Sequence, residues 1–185
     1  MSLELDGLLA RLADADLGVQ MPALEQAAAV VQRLTSAAIN IFETTPAIFP
    51  AAERLLKFGP AMLAPLEAEF LKQTDRERKT HAAIVLLYLG SKTGVDYLLN
   101  ELASGGELAV TISTVVSSAG VAEAAPLIEA RLLEYDLLRD PYGAGSLIMS
   151  LKKLGWAFSP ELMDYLSRPG LSKNIQLALE WDTRV

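Results

Sequence analysis

The sequence predicts an all-α protein whose helices follow one another in pairs, as in a helical solenoid. Alanine and leucine make up most of a hydrophobic share of 51%, whereas aromatic residues contribute only 6%. This composition favours close-packed helices over sheet. In addition, an apolar run ends at each of four glycines, Gly59, Gly90, Gly120 and Gly155, which are spaced 31, 30 and 35 residues apart. A repeat of roughly 20 to 50 residues is typical of helical solenoids.

The first 45 residues predict two N-terminal capping helices. Leucines from Leu3 to Leu12 follow Ser2 at helical spacing, and we expect Gly18 to end this first helix. Pro22 is predicted to open the second helix, which runs over residues 23–42, because proline is tolerated at a first helical position.

Four helix pairs are predicted over residues 46–168. The starting signals are Thr45-Pro46, Asp75 and Ser159-Pro160, which combine a capping side chain with a good first helical residue or an apolar stripe. A leucine seven or eight residues after each glycine is expected to open the second helix of its pair: Leu66, Leu98, Leu127 and Leu162. The predicted pairs are 46–58 with 60–73, 75–89 with 93–104, 107–119 with 122–136, and 141–154 with 159–168.

A terminal capping helix is predicted over residues 172–181, after Pro169-Gly170 ends the last pair. No long linker or low-complexity stretch interrupts the chain. We therefore expect one continuous domain over residues 1–185, with 1–45 as N-terminal caps, 46–168 as repeats and 169–185 as the C-terminal cap.

The segment 75–102 carries the clearest repeat pattern. A basic residue is followed by a pair of alanines, a leucine, a Leu-Gly step and an apolar second helix, at Lys79, Ala82-Ala83, Leu86, Leu89-Gly90, and Leu98 with Leu102. This pattern resembles a HEAT-like repeat of the kind found in phycobilin lyases and many bacterial scaffold proteins. The resemblance extends over about residues 46–168, although the basic residue is lost in three of the four repeats, where Ala109 and Ala144 replace it in the two later ones.

The resemblance implies a right-handed α-solenoid, an α-α superhelix of about four HEAT-like pairs, with capping helices and with the second helices lining a concave face. An irregular helical bundle, in which the glycines are ordinary C-caps, is the alternative interpretation.

Composition and charge exclude several classes of function. The chain has no cysteine, so disulfides and thiolate metal sites are excluded. Acids near the N-terminus and the lack of a long apolar run argue against a signal peptide and a membrane span, and we expect a cytoplasmic protein. A net charge of −7 repels nucleic acid on average and favours a basic protein partner.

The sequence offers no catalytic constellation. The single histidine, His81, is expected at the surface or at its boundary, and no His-Glu-x-x-His zinc motif is present. The Gly143-Ala144-Gly145 stretch lacks the third glycine and preceding strand of a phosphate-binding loop. We therefore predict no enzymatic activity, no metal and no cofactor.

Acids concentrate on the predicted second helices. With their preceding loops, these helices hold ten acids against three bases, whereas the first helices hold more bases than acids. Given the HEAT-like resemblance, this segregation predicts an acidic concave face, which would attract an oppositely charged partner. The residues predicted to bind the partner are Asp96, Tyr97, Glu101, Glu129, Glu134, Asp136, Glu161 and Asp164.

The predicted function is a non-enzymatic protein-binding module. Its most concrete form is a bacterial immunity or inhibitor protein whose acidic face neutralises a basic partner such as a toxin. The alternatives are a HEAT-like assembly scaffold and an enzyme-associated, bilin-lyase-type factor that acts on a small molecule or a protein.

Overall fold

The computed structural model describes the backbone of residues 2–181 and the side chains of residues 4–181. Met1 and residues 182–185, which belong to the predicted caps, lie outside this range. Most of the described residues are helical and none of them forms a strand, which confirms the all-α prediction. None of their helices is long and apolar enough to cross a membrane. The α-helices are α1 (Ser2–Leu12), α2 (Leu17–Thr44), α3 (Ile48–Leu55), α4 (Leu63–Lys72), α5 (Arg76–Tyr88), α6 (Lys92–Ser104), α7 (Ala109–Ser118), α8 (Ala125–Leu133), α9 (Pro141–Lys153), α10 (Pro160–Leu166) and α11 (Lys173–Glu180).

Contacts divide the chain into two compact units, Met1–Thr74 and Asp75–Val185. Helices α1–α4 belong to unit 1 and helices α5–α11 to unit 2. The boundary falls inside the predicted repeat region, between its first and second helix pairs. The single continuous domain stays a prediction.

In unit 1, the first two helices begin and end at other residues than predicted. Helix α1 ends at Leu12, and α2 begins at Leu17 because Asp16 caps it: the Gly18 amide donates to Asp16 Oδ1 at 2.8 Å. The predictions that Gly18 ends the first helix and that Pro22 opens the second are therefore wrong. Pro22 lies inside α2.

The Gly59 repeat also differs from its prediction. Helix α3 begins at Ile48 rather than at Pro46, because Thr45 closes α2 and its hydroxyl accepts from the Ala47 amide at 3.2 Å. A 3-10 segment, Leu56–Met62, then links α3 to α4. Gly59 breaks this segment with a φ of 56° and a ψ of −145°.

Side-chain caps set the starts of five helices in unit 2, α5, α6, α9, α10 and α11. The predicted caps are confirmed, since the Arg78 amide donates to Asp75 Oδ1 at 3.0 Å and the Leu162 amide donates to Ser159 Oγ at 3.1 Å. Ser91, Asp140 and Ser172 cap α6, α9 and α11 in the same way. Each side chain satisfies an amide that the first helical turn leaves without a backbone partner.

Three of the four repeat glycines end a helix by the same hydrogen-bonding pattern. Gly90, Gly120 and Gly155 follow α5, α7 and α9 with positive φ. After α5, the Gly90 amide donates to Leu87 O at 3.0 Å and the next amide donates to Leu86 O at 2.9 Å. The same two bonds recur after α7 and α9. This is the Schellman motif, in which a left-handed glycine satisfies the last carbonyls of a helix.

All four repeats bury side chains at equivalent positions. Eight, seven and four residues before each glycine lie buried side chains: Ala51, Ala52 and Leu55; Ala82, Ala83 and Leu86; Ile112, Ser113 and Val116; Leu147, Ile148 and Leu151. After each glycine, two buried residues four apart fix the second helix: Leu66 and Phe70, Leu98 and Leu102, Ile128 and Leu132, Leu162 and Leu166. In the third repeat, Ile128 takes the buried position predicted for Leu127, which is half-buried.

The helices of unit 2 contact one another in two successions. Helices α5, α7, α9 and α11 form the first-helix row, and α6, α8 and α10 form the second-helix row. Gly94 allows the closest approach between the rows, because a Cβ there would lie 2.7 Å from Leu86 Cβ and 2.8 Å from Ala83 O. At the end of the first row, Lys152 of α9 donates to Trp181 O at 2.7 Å and to Leu179 O, which ties down the end of α11.

Candidate partner-binding surface

The second-helix row carries all eight residues that the sequence predicts to bind a partner, and all eight belong to unit 2. Helix α6 provides three of them, the segment from α8 to the following turn provides three, and α10 provides two. Because α6 contacts α8 and α8 contacts α10, the predicted acids occupy neighbouring helices. The structure nevertheless gives these residues different environments.

Three acids of the row have open carboxylates. Asp96 on α6, and Glu161 and Asp164 on α10, are exposed. Their side chains form no hydrogen bond or ion pair with any residue between 4 and 181. These carboxylates are therefore available to an external cation.

Glu101 is engaged by a base from the first-helix row. Its Oε2 atom accepts from Arg76 Nε at 2.7 Å, and Arg76 also contacts Ser104 Oγ at 3.3 Å. The Glu101 side chain is only 19% exposed, whereas that of Arg76 is 60% exposed. The hydrogen bond and the negative charge of Glu101 raise the pKa of Arg76. This pair joins the start of α5 to the end of α6.

Glu134 and Asp136 form local contacts at the end of α8 and in the turn that follows it. Glu134 Oε2 lies 2.8 Å from Arg131 Nη1, although the Glu134 side chain remains 65% exposed. Asp136 Oδ1 accepts from the amides of Leu138 and Arg139, each at 3.1 Å. Both carboxylates are still accessible, but each already has a local partner.

Glu129 lies inside unit 2 and holds the loop between α9 and α10. The residue is 7% exposed, and its carboxylate accepts from Trp156 Nε1 and from the Ser159 amide, the latter at 3.1 Å. Burial raises the pKa of Glu129, but the hydrogen bonds from Ser159 and Trp156 lower it more, and the net pKa lies below its ordinary value. Since this carboxylate is satisfied internally, the other acids of the row carry the candidate surface.

Aromatic residues of the row also have internal roles. Tyr97 is half-buried, its ring centroid lies 5.8 Å from Lys79 Nζ, and burial raises its pKa. Tyr165 of α10 donates to Tyr135 O at 2.5 Å, and Tyr135 donates to Asp140 Oδ2 at 2.5 Å. These bonds join the end of α8 to α10 and to the cap of α9. Burial and the bond to Asp140 raise the pKa of Tyr135 to about 12.

The sequence did not predict the Glu129 and Tyr135 contacts. The Glu129 hydrogen bonds and the Tyr165–Tyr135 hydrogen bond join residues about one repeat apart, which become neighbours only through the packing of successive helices. One sequence feature could have indicated the Glu129 contact. Trp156 directly follows the repeat glycine Gly155, and a side chain at that position can reach the preceding second helix, α8.

A cleft of about 540 Å³ lies in unit 2 beside the Glu101–Arg76 pair. It is lined by Arg76, Glu77, Glu101, Gly105, Gly106, Glu107, Leu108 and Ile112. Between residues 4 and 181, no group of three or more acids, histidines or cysteines is placed to hold a metal ion. His81 is 8% exposed, more buried than expected for a surface residue, and its Nδ1 lies 2.9 Å from Glu77 O.

Comparisons with known proteins provide no relative for this chain. No protein-family model, no curated protein and no solved structure matches it significantly.

Proposed function

We propose that unit 2 is a right-handed HEAT-like α-solenoid segment. Three observations support this architecture: the equivalent buried positions of the repeats, the Schellman motif at Gly90, Gly120 and Gly155, and the two successions of contacting helices. Repeat proteins bury a continuous core by stacking units of this kind. Two alanines, Ala109 and Ala144, are buried where the HEAT-like pattern has a basic residue, so apolar packing replaces a polar contact there.

We further propose that the protein is a non-enzymatic binding module whose second-helix row engages a basic protein. The observation that carries this proposal is the placement of the open carboxylates of Asp96, Glu161 and Asp164 on one row of contacting helices. A surface of one sign raises the rate of encounter with an oppositely charged partner and penalises wrong partners.

The bases on the same row do not neutralise it. Arg131 is paired with Glu134, and the guanidinium of Arg168 lies 4.3 Å from the centroid of the Tyr165 ring. Lys92 is exposed at the start of α6. Five exposed acids of the row outnumber these three bases: Asp96, Glu134, Asp136, Glu161 and Asp164. An excess of accessible negative charge therefore remains, which suits a partner surface rich in lysine and arginine.

The most concrete form of this function is a bacterial immunity or inhibitor protein that blocks a basic toxin. An acidic inhibitor can cover a basic active-site surface by charge complementarity alone, without catalytic groups of its own. An assembly scaffold is the second candidate, favoured by an open apolar face in unit 1 that is described below.

Affinity capture from the source cell tests the proposal. The full chain is immobilised, bound proteins are released by a salt gradient, and the eluate is identified by mass spectrometry. We expect a basic protein to elute as salt increases, because screening weakens attraction between exposed charges. Recovery of no basic protein, or release that does not depend on salt, would contradict the proposal.

A further inference from the structure

An apolar face lies open on the helical hairpin that α1 and α2 form in unit 1. Six large side chains on it are between 44% and 68% exposed. We call this surface the hairpin face, and it consists of Leu5, Leu9, Leu17, Met21, Leu24, Ala28 and Val31.

The face is continuous along α2. Its five α2 residues, from Leu17 to Val31, are spaced alternately four and three residues apart. This heptad spacing places them on one stripe of the helix, as in a coiled-coil seam. No stripe position carries a charge. The stripe therefore has the pattern of a helix surface that packs against another helix.

Helix α1 extends this face instead of covering it. The two helices are joined by a short turn and by a hydrogen bond of 3.0 Å from Gln20 Nε2 to Leu12 O, so they run antiparallel. Leu8 is buried on the side of α1 that packs on α2. Leu5 and Leu9 are displaced from Leu8 around the axis of α1. This displacement places both residues on the same side of the hairpin as the α2 stripe.

The exposed area approaches that of a dimer interface. Half-exposure of six large apolar side chains corresponds to about 600 Å² per copy, compared with roughly 800 Å² per partner in a standard protein interface. Such an area is at the upper end of the largest apolar patches that monomeric proteins expose, and patches of that size often mark an interaction site.

The charge pattern argues against an anionic membrane as the occupant, whereas the uncharged stripe suits a second copy of the same stripe. Residues 1–45 contain six acids and two arginines. A helix that lies on an anionic membrane is instead rich in lysine and arginine. A twofold axis would bring the uncharged stripe onto itself and close two hairpins into a four-helix bundle. We propose that the hairpin face binds the hairpin face of a second copy, a contact that is independent of the acidic row in unit 2.

Sedimentation equilibrium of the full chain tests this contact. The wild type is compared with a double variant, Leu24→Glu with Val31→Glu, across a hundredfold range of concentration. The control is Leu71→Glu, because Leu71 is a leucine of unit 1 that is 72% exposed on α4, outside the hairpin face. We expect dimers of the wild type and the control and a monomeric double variant, with unchanged circular dichroism. A dimeric, folded double variant would overturn the proposal.

Crosslinking provides a second test that does not depend on disrupting the face. The chain has no cysteine, so Ala28→Cys introduces a single thiol on the stripe, and Ala64→Cys places one at an exposed position of α4. A bismaleimide crosslinker, which spans a longer distance than a disulfide, should yield covalent dimers of the Ala28→Cys protein in large excess over Ala64→Cys. Equal crosslinking of the two proteins would contradict a twofold contact at the stripe.

The oligomeric state of the wild type, together with vesicle flotation, also tests other occupants of the hairpin face. A wild type that stays monomeric over the whole concentration range overturns self-association. If that monomer floats with phosphatidylcholine vesicles, the face binds lipid. If it does not, neither a second copy nor lipid occupies the face.

Discussion

At the level of single residues, Glu129 shows that a carboxylate on the acidic row can stabilise the fold instead of remaining accessible to a partner. Its carboxylate is buried, and it fixes the loop after α9 through Trp156 and Ser159. A buried hydrogen-bonding group that loses its partner destabilises the folded protein. No hydrogen bond then compensates for the removal of that group from water.

Replacing Glu129 by glutamine should destabilise the protein by about 1–3 kcal/mol, since the amide group cannot accept both hydrogen bonds. Urea denaturation measures this loss. The matched control is Glu134→Gln, at a side chain that is 65% exposed, and it should cost less than about 1 kcal/mol. Equal effects of the two substitutions would contradict the internal role of Glu129.

The ionisation of Glu129 should make the stability of the protein depend on pH. Its pKa is lowered from 4.5 in the folded protein, so folding favours the charged form. The resulting stabilisation is fully present above pH 4.5 and is lost as the pH falls through the lower folded pKa. The stability difference between wild type and Glu129→Gln should therefore shrink on acidification below pH 4.5. A difference that stays constant with pH would argue against this carboxylate as its source.

At the level of helices, the sequence predicted most of unit 2. Capping side chains and C-terminal glycines are local signals, and Asp75, Ser159 and Gly90 act as their sequence neighbourhoods indicate. The N-terminal helices were less predictable. Pro22 was predicted to open the second helix, but the capping hydrogen bond of Asp16 begins that helix at Leu17 and leaves Pro22 inside it.

The contact between α5 and α6 depends on the absence of a side chain at Gly94. A Cβ there would meet backbone atoms of α5, namely Ala83 O at 2.8 Å and Leu87 N at 2.9 Å. Gly94→Ala should therefore destabilise the protein by about 1–3 kcal/mol despite the higher helix propensity of alanine.

Gly7 of α1 offers the matched control for this contact, because nothing lies within 4 Å of a Cβ added there. Gly7→Ala should stabilise the protein by about 0.5–1 kcal/mol through helix propensity alone. Thermal denaturation should therefore show a less stable Gly94→Ala protein and a more stable Gly7→Ala protein. Stabilisation by Gly94→Ala would contradict the close approach of α5 and α6.

At the level of the whole molecule, periodicity predicted the register of the repeats but not which acids would remain accessible. The spacing from the glycines identified buried positions on the second helices at Leu66, Leu98 and Leu162 but missed the third repeat, where Ile128 is buried instead of Leu127. Whether an acid on a second helix is exposed depends on partners one repeat away, such as Arg76 for Glu101 and Trp156 for Glu129. A single sequence does not reveal such contacts.

The acidic row is tested most directly by repeating the affinity capture with two triple variants. One variant is Asp96→Lys with Glu161→Lys and Asp164→Lys, and the other reverses three exposed acids outside the row, Glu4, Glu53 and Glu180. Both variants change the net charge equally. We expect the control to retain the salt-eluted basic protein that the wild type captures, and the row variant to lose it. Equal retention by the two variants, or equal loss, would contradict a binding surface on the second-helix row.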